Sequence, residues 1–339
     1  MKIYILEDPD PDYPFLPEVY LNGYEWEWIP VSKTTAVQAV YDLAGREFGV
    51  VLNLCEGSRY EPSVPGVEVI QALEALNLPF TGADSSFYEP TREAMKLVCR
   101  QQGIGTPAGV FLWNHVDLRQ AVAGLRYPLL VKHPNSYASV GLLPESRVEN
   151  FESLEAQVRR VMSAYGGALI EEFIAGREFS ALAVENPDAP AEPIVYPPVE
   201  FLFPPGESFK HERLKWETFR NMQCVPLADS ELAALVREMT RRMFVGMRGS
   251  GYGRCDFRMN AAGELFLLEI NPNCGIFYPP ETPGTADSIL NLDPAGHAGF
   301  VDLIVRGALK RQARCLEQHG RPGNLRQEQR GAIEPGATE

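Results

Sequence analysis

Two carboxylates, an amide and a guanidinium recur at hairpin spacing in GYGRCDFRMNAAGELFLLEINPNCG (residues 251–275). With a turn at Ala262-Gly263, Asp256 and Glu269, thirteen residues apart, face each other across two strands. Like charges that close repel. The apolar run Leu265 to Leu268 beside Glu269 also asks for burial, where an unpaired carboxylate is costly. A divalent cation removes both penalties. Asn271 lies two residues past Glu269 and shares its face. Asp, Glu and an amide oxygen make a hard-oxygen set suited to Mg²⁺. Arg254, two residues before Asp256, projects to the same side, where it could hold a phosphate or a developing oxyanion. The plainer alternative is a structural salt bridge between Arg254 and these acids.

Phosphates need cations, and two lysines stand out. Lys132 closes the apolar strand YPLLVK, and the following HPNSYASVG offers small and hydroxyl residues whose backbone N–H groups can cradle phosphate. Lys96, in TREAMKLV, fits a helix surface equally well. Neither lies in a GxxxxGK[ST] loop, so a P-loop is excluded. In ALIEEFIAGREF, extended backbone at Glu172–Ile174 could read a nucleobase edge and Glu178 could bond sugar hydroxyls, while Glu171 and Glu172 also suit a solvated surface.

The elements that would carry these residues follow from periodicity. MKIYILED, YEWEWIPV and VVLNLC read as strands, alternating with helices over TTAVQAVYDLAGREFG and PGVEVIQALEALNLP. That alternation predicts a parallel α/β lobe over residues 1–90, with ligands at the carboxyl ends of its strands. TREAMKLVCRQQG is a helix closed by Gly103. Short strands around a helix at 151–165 suggest an antiparallel α+β lobe over 91–185, ending in ALIEEFIAGREFSALAVE. A third lobe, 186–318, holds a Pro-rich segment with a long loop, an amphipathic helix DSELAALVREMTRRMFVGM, the acidic hairpin and a last helix. The tail 319–339 lacks an apolar stripe and reads as disordered.

Composition narrows the function. The 339 residues are 45% hydrophobic, enough for a full core, and carry a net charge of −14, which argues against a nucleic-acid partner. Six scattered cysteines without a CxxC pair fit reduced thiols in a cytoplasm. No apolar run suggests a membrane span, and MKIYILED opens as a strand rather than a signal peptide.

Together, LNLPFTGADSS, AMKLVCRQQGIGTPAG, YPLLVKHPNSYASVG, LIEEFIAGREFS and the acidic hairpin resemble the ATP-grasp superfamily, and most closely the D-alanine–D-alanine ligase family, from about residue 3 to 315. The resemblance implies an ATP-grasp fold, in which an α/β lobe joins two α+β lobes clasping ATP. It assigns Lys96 and Lys132 to phosphate, Glu171, Glu172, Phe173 and Ile174 to the adenine hinge, Glu178 to ribose, and Leu268 to the nucleotide. Ser139 and Gly141 fall in the flap over the phosphates. Asp256, Glu269 and Asn271 match ligands of two Mg²⁺ ions (Mn²⁺ being an alternative), Arg254 the charge-stabilising arginine, and Gly275 a backbone donor near the acyl group. The loop lysine is Lys210 or Lys215. A homodimer is expected because family members usually form one.

The departures concern the substrates. The family's N-terminal Gly-Gly-x-Ser-Ala-Glu-x-Glu motif is replaced by EDPDPDYPF, its histidine-glycine pair by CEG, Gly-Glu-Asp-Gly by SVPG, and Gly-Met-Thr-Ser-x-Ser by GIFYPPETPG. The expected activity is an ATP-dependent ligase joining an amino acid or related carboxylate to an amine through an acyl phosphate, with substrates other than two D-alanines. A D-alanine–D-alanine ligase proper, a kinase that stops at a phosphorylated product and a silent nucleotide-binding protein are the alternatives. Glu7, Asp8, Asp10, Asp12 and Glu56 could receive a substrate ammonium, with His211 and Tyr278 as further contacts. Cys274 reads as a small packed residue.

Overall fold

The computed structural model describes residues 1–9, 14–47, 49–58, 61, 63–114, 117–135, 139–216 and 222–319, without the side chains of 215, 216, 318 and 319. Asp10 and Asp12, the tail from 320 and the Lys215 side chain thus lie outside the described residues.

The first lobe carries β1 (Lys2–Glu7), α1 (Pro17–Tyr20), β2 (Glu25–Pro30), α2 (Ala36–Leu43), β3 (Gly49–Asn53) and α3 (Val67–Ala75). Its sheet has the order β2-β1-β3 and is parallel. Both faces of β1 are covered, Tyr4 and Leu6 on the side of α2 and α3, and Ile3 and Ile5 on the other, which is why KIYILE is apolar without alternation.

Helix α4 (Arg92–Gln102) leads into the central lobe. Thr91 caps its start by accepting from the Ala94 N–H, and Gly103 ends it at φ +60°, a left-handed conformation that glycine adopts without a side-chain clash. Its buried stripe is Arg92, Met95, Lys96 and Cys99, so two cations sit at positions a core helix normally gives to apolar residues. The central lobe itself holds β4 (Gly109–Leu112), α5 (Leu118–Ala121), β5 (Leu129–Lys132), β6 (Arg147–Val148), α6 (Phe151–Tyr165) and β7 (Ala168–Glu172), with sheet order β4-β7-β5-β6, antiparallel throughout.

The last lobe contains β8 (Arg177–Val184), β9 (Ile194–Val195), β10 (Val199–Leu202), α7 (Glu212–Trp216), β11 (Gln223–Pro226), α8 (Ser230–Gly246), β12 (Tyr252–Met259), β13 (Leu265–Pro272), α9 (Thr285–Leu290) and α10 (Gly296–His319). Its sheet runs β11-β10-β8-β12-β13, with β9 also on β8. Strand β8 corrects the sequence reading, which ran it on from β7 in the central lobe. It is the middle strand of the last sheet, paired along its whole length with β12, and the chain crosses between sheets at 173–176. Strand β8 is buried from Glu178 to Val184 because β10 and β12 pair with its two edges while Phe179, Ala181 and Ala183 join one core cluster and Leu182 and Val184 the other.

The first and last lobes are clamped together. Gly251, at φ +61°, packs so closely on Gly82 that a Cβ would stand 2.1 Å from the Gly82 carbonyl oxygen. Arg311 on α10 donates to the Phe80 and Gly82 carbonyls and pairs with the buried Glu185. Among the described residues, no helix is long and apolar enough to cross a membrane.

Candidate active site

The acidic hairpin forms as the spacing requires. Asp256 pairs with Glu269 and Arg254 with Asn271 across β12 and β13, and the register shifts only beyond Asp256, at a bulge before Phe257. The four side chains line a cleft of about 1590 Å³ between the central and last lobes. Arg254 grips Asp256 with two parallel hydrogen bonds of 2.9 Å, and Ser180 and Asn271 Nδ2 also donate to that carboxylate. Burial opposes the charge on Asp256, but Arg254, Lys210 and the Ser180 hydroxyl outweigh it and hold the carboxyl down at about 2.

Glu269 finds its cation in Arg92, which donates to Oε2 from the first turn of α4. Sequence reasoning missed Arg92. The available signal was its position four residues before Lys96, on the same helix face. Burial also opposes ionisation of Glu269, yet its carboxyl is lowered, Arg92 supplying the largest opposing effect.

Lys132 lines the cleft as expected, but Lys96 does not. The Lys96 ammonium is buried, donating to the Pro107 carbonyl at 2.7 Å and to Thr106, and pairing with Glu171 at 2.5 Å. Lys96 is therefore not a surface residue. It sits a turn deeper on the stripe than Arg92, which does reach the cleft. Lys132 binds the other oxygen of Glu171. Glu171 is thus no solvated residue: it is 3% exposed and clamps both lysines. Burial raises its pKa, but Lys132 and Lys96 win and bring it to about 2.

The hinge is tied down on both sides. Phe173 N–H donates to the Pro128 carbonyl, Arg258 Nε donates to the Ile174 carbonyl at 2.6 Å, and Glu172 pairs with Arg126 at the surface. Glu178 accepts from Lys210 and from Arg258, each at 2.9 Å. Of the two loop lysines, Lys210 lines the cleft, and the Lys215 side chain lies outside the described residues. The flap and the loop are fastened together: Ser139 donates to the Lys210 carbonyl, Gly141 N–H to Glu212, and Glu212 N–H to the Leu142 carbonyl. Ser139 lines the cleft with Leu268, whereas Gly141, at φ +70°, packs against Tyr165 instead.

On the substrate side, Glu56, Gly275 and Tyr278 come together. A Cβ on Gly275 would stand 2.3 Å from Tyr278 Oη and 3.4 Å from Glu56 Oε2, so only glycine leaves this wall open. Buried Asp287 sets the loop by accepting from the Phe277, Tyr278 and Gly284 N–H groups. Cys274 is buried there, and burial pushes its thiol up to about 12.

Two expected substrate contacts lie outside the cleft lining. Glu7 does not line the cleft; its carboxylate accepts from the Phe15 N–H and the Trp28 indole, pinning the chain that returns from β1, and burial raises its pKa. His211 is 2% exposed, hydrogen-bonded to Glu207, and accepts from the Leu214 N–H at the start of α7. Its ring serves that helix, not the cleft. Glu7 ends β1 and His211 immediately precedes α7, and local sequence orients neither side chain.

Two antiparallel lobes closing on a cleft of paired acids and buried cations define an ATP-grasp fold. The described chain superposes on a D-alanine–D-alanine ligase from Bacillus anthracis complexed with ATP with a TM-score of 0.68, at 17% identity, covering 93% of this chain and 99% of that one. The D-ala D-ala ligase C-terminus family model matches residues 109–279, about half of the chain. A D-alanine–D-alanine ligase of Desulforudis audaxviator is 30% identical over 240 residues, 68% of this chain and 72% of that protein. One from Bordetella petrii is 29% identical over 220 residues, 64% of this chain, and the match spans 65% of that protein's length. The chain belongs to the D-alanine–D-alanine ligase family.

Proposed function

We propose that this protein is an ATP-dependent ligase that joins an amino acid, or a related carboxylate, to an amine through an acyl phosphate. One observation carries the reading: the facing carboxylates of Asp256 and Glu269 lie in a cleft shared with Lys132, Arg92, Lys210 and Arg254. Paired acids among so many cations suit a polyanion that arrives with metal.

The residues fit Mg²⁺. Both carboxylates are lowered in pKa and so ready to bind, and Asn271 stands beside them. No group of three or more His, Cys, Asp or Glu among the described residues could hold a metal alone. Mg²⁺ is usually held by one or two carboxylates, with phosphate oxygens and water filling the remainder. Asp256, Glu269 and Asn271 would hold two Mg²⁺ (or Mn²⁺), which neutralise charge on the phosphate oxygens when bound.

In this reading the substrate carboxylate attacks the γ-phosphorus in line, the bond to ADP breaks, and an acyl phosphate forms. Lys132, Lys210 and Arg92 offset charge on the phosphate oxygens. The Phe173–Ile174 hinge and Glu178 take the nucleoside. The flap at 139–142, tied to the 210–212 loop, keeps water out. The amine then attacks the acyl carbon, phosphate leaves, and Arg254 and the Gly275 N–H hold the tetrahedral oxyanion.

We read the substrates as other than two D-alanines. Support comes from the wall made by Glu56 and Tyr278 on the rebuilt CEG and GIFYPPETPG segments. The relatives' own names make D-alanine the first alternative to test. ADP release should be screened over D- and L-amino acids and dipeptides, with hydroxylamine as a trap. A ligase gives ADP and a hydroxamate. A silent binder gives neither, and a kinase gives a stable phosphorylated product. Turnover on D-alanine alone would restore the family's usual pair.

A further inference from the structure

Arg258 is a buried charge that the reaction above leaves without a task. It lies two residues beyond Asp256 on β12, opposite Glu178 on β8, and is 3% exposed. Its guanidinium donates to four acceptors: Ile174 O at 2.6 Å, Gly176 O at 3.0 Å, Ser208 O at 2.8 Å and Glu178 Oε2 at 2.9 Å. Three are backbone carbonyls, two from the hinge and one from the loop that carries Lys210. The Phe173 ring lies 4.9 Å from its Cζ.

Glu178, 4% exposed, is therefore served by two cations, one on each oxygen. One suffices to neutralise it. The two differ in freedom: Arg258 is fixed by a rigid fork and three carbonyls, whereas Lys210 is a flexible ammonium on a loop, with the Phe201 ring 3.1 Å away. If Lys210 moved to a triphosphate without Arg258 present, Glu178 would be left buried and unpaired, and that penalty would hold the lysine back.

We propose that Arg258 is a positioning residue that keeps Glu178 neutralised, so that Lys210 is released to the nucleotide phosphates. Through Ser208 it also holds the loop within reach of the cleft. This rests on the nucleotide-binding part of the proposed function and deepens it.

The test measures binding of a non-hydrolysable ATP analogue with Mg²⁺, and of adenosine, by titration calorimetry. In R258M the trapped Lys210 should weaken the analogue on the order of 10-fold more than it weakens adenosine, whose binding reports any slackening of the hinge. R258K, which keeps a charge by Glu178, should lie between R258M and wild type. E178Q alone reports what the Glu178 contact to the nucleoside is worth, and adding R258M to E178Q, where no trap remains, should leave analogue binding at the E178Q level. A merely structural role would weaken analogue and adenosine together, and would do so in the E178Q background as well; that pattern overturns the proposal, as does an R258M protein that binds both like wild type. If R258M does not fold, E178Q/R258M compared with E178Q carries the decision, since it buries no lone charge: equal analogue binding supports the proposal and a further 10-fold loss overturns it. Wild-type protein that binds no analogue removes the functional reading and this proposal together. Wild-type protein that binds it yet forms no product removes only the ligase chemistry.

Discussion

Arg92, in the first turn of α4, donates to Glu269 on β13, 177 residues further along the chain. The carboxylate that closes the apolar LFLLEIN strand is thus neutralised in the free protein by a side chain from another lobe. Asp256, directly across the ladder, has its own guanidinium in Arg254. The two acids tolerate each other before any metal arrives because each already has a cation, and Mg²⁺ binding becomes an exchange of partners.

That exchange makes Arg92→Met informative. The variant leaves Glu269 without its cation, so its melting temperature without ligand should fall. Added Mg²⁺ should then raise that temperature more than it does for wild type, because ligands that bind only the folded state stabilise it and the arginine no longer competes. ADP release should drop on the order of 10²-fold, the scale for removing one positioned charge-stabilising group. Equal Mg²⁺ effects on the two proteins would contradict the exchange.

Asp256→Asn keeps the shape and removes the charge. Turnover should fall on the order of 10³-fold, with far-UV circular dichroism unchanged. Undiminished ADP release would refute the assignment of Asp256 to the metal.

Acid should expose the Glu171 clamp and the Arg254–Asp256 pair. Both carboxyls fold at about 2, from ordinary values of 4.5 and 3.8. A depressed folded pKa gives stability that is complete above the unfolded value and is lost as pH falls through the folded one. Stability should hold above about pH 4.5 and decline from there toward pH 2. Glu171→Gln leaves Lys96 and Lys132 buried without their shared counter-ion and should cost about 3–5 kcal/mol at neutral pH. Its acid decline should be shallower. Urea unfolding from pH 6 to 2.5 measures both, and parallel curves for the two proteins would argue against the clamp.

Cys274 lies in the cleft wall with its thiol pushed up to about 12, so it carries almost no thiolate at neutral pH. Cys274→Ala should retain turnover within about threefold, since a small packed residue is replaced by another. A collapse of ADP release in a folded Cys274→Ala protein would show that the thiol takes part.

Where periodicity and pairing arithmetic operate locally, the chain can be read directly. The thirteen-residue spacing of Asp256 and Glu269 set their register, KIYILE announced a strand covered on both faces, and the helix at 151–165 appeared with those ends. These follow from periods of 2 and 3.6 residues and from a tight turn, all properties of neighbouring positions. Tertiary structure alone decided which distant charges meet. Local sequence does not pair Arg92 with Glu269, put both lysines on Glu171, or move β8 out of the central sheet. Nor does it turn Glu7 and His211 away from the cleft. A buried charge must find its opposite, and which opposite it finds depends on how the lobes pack, a global property that no short window of residues contains.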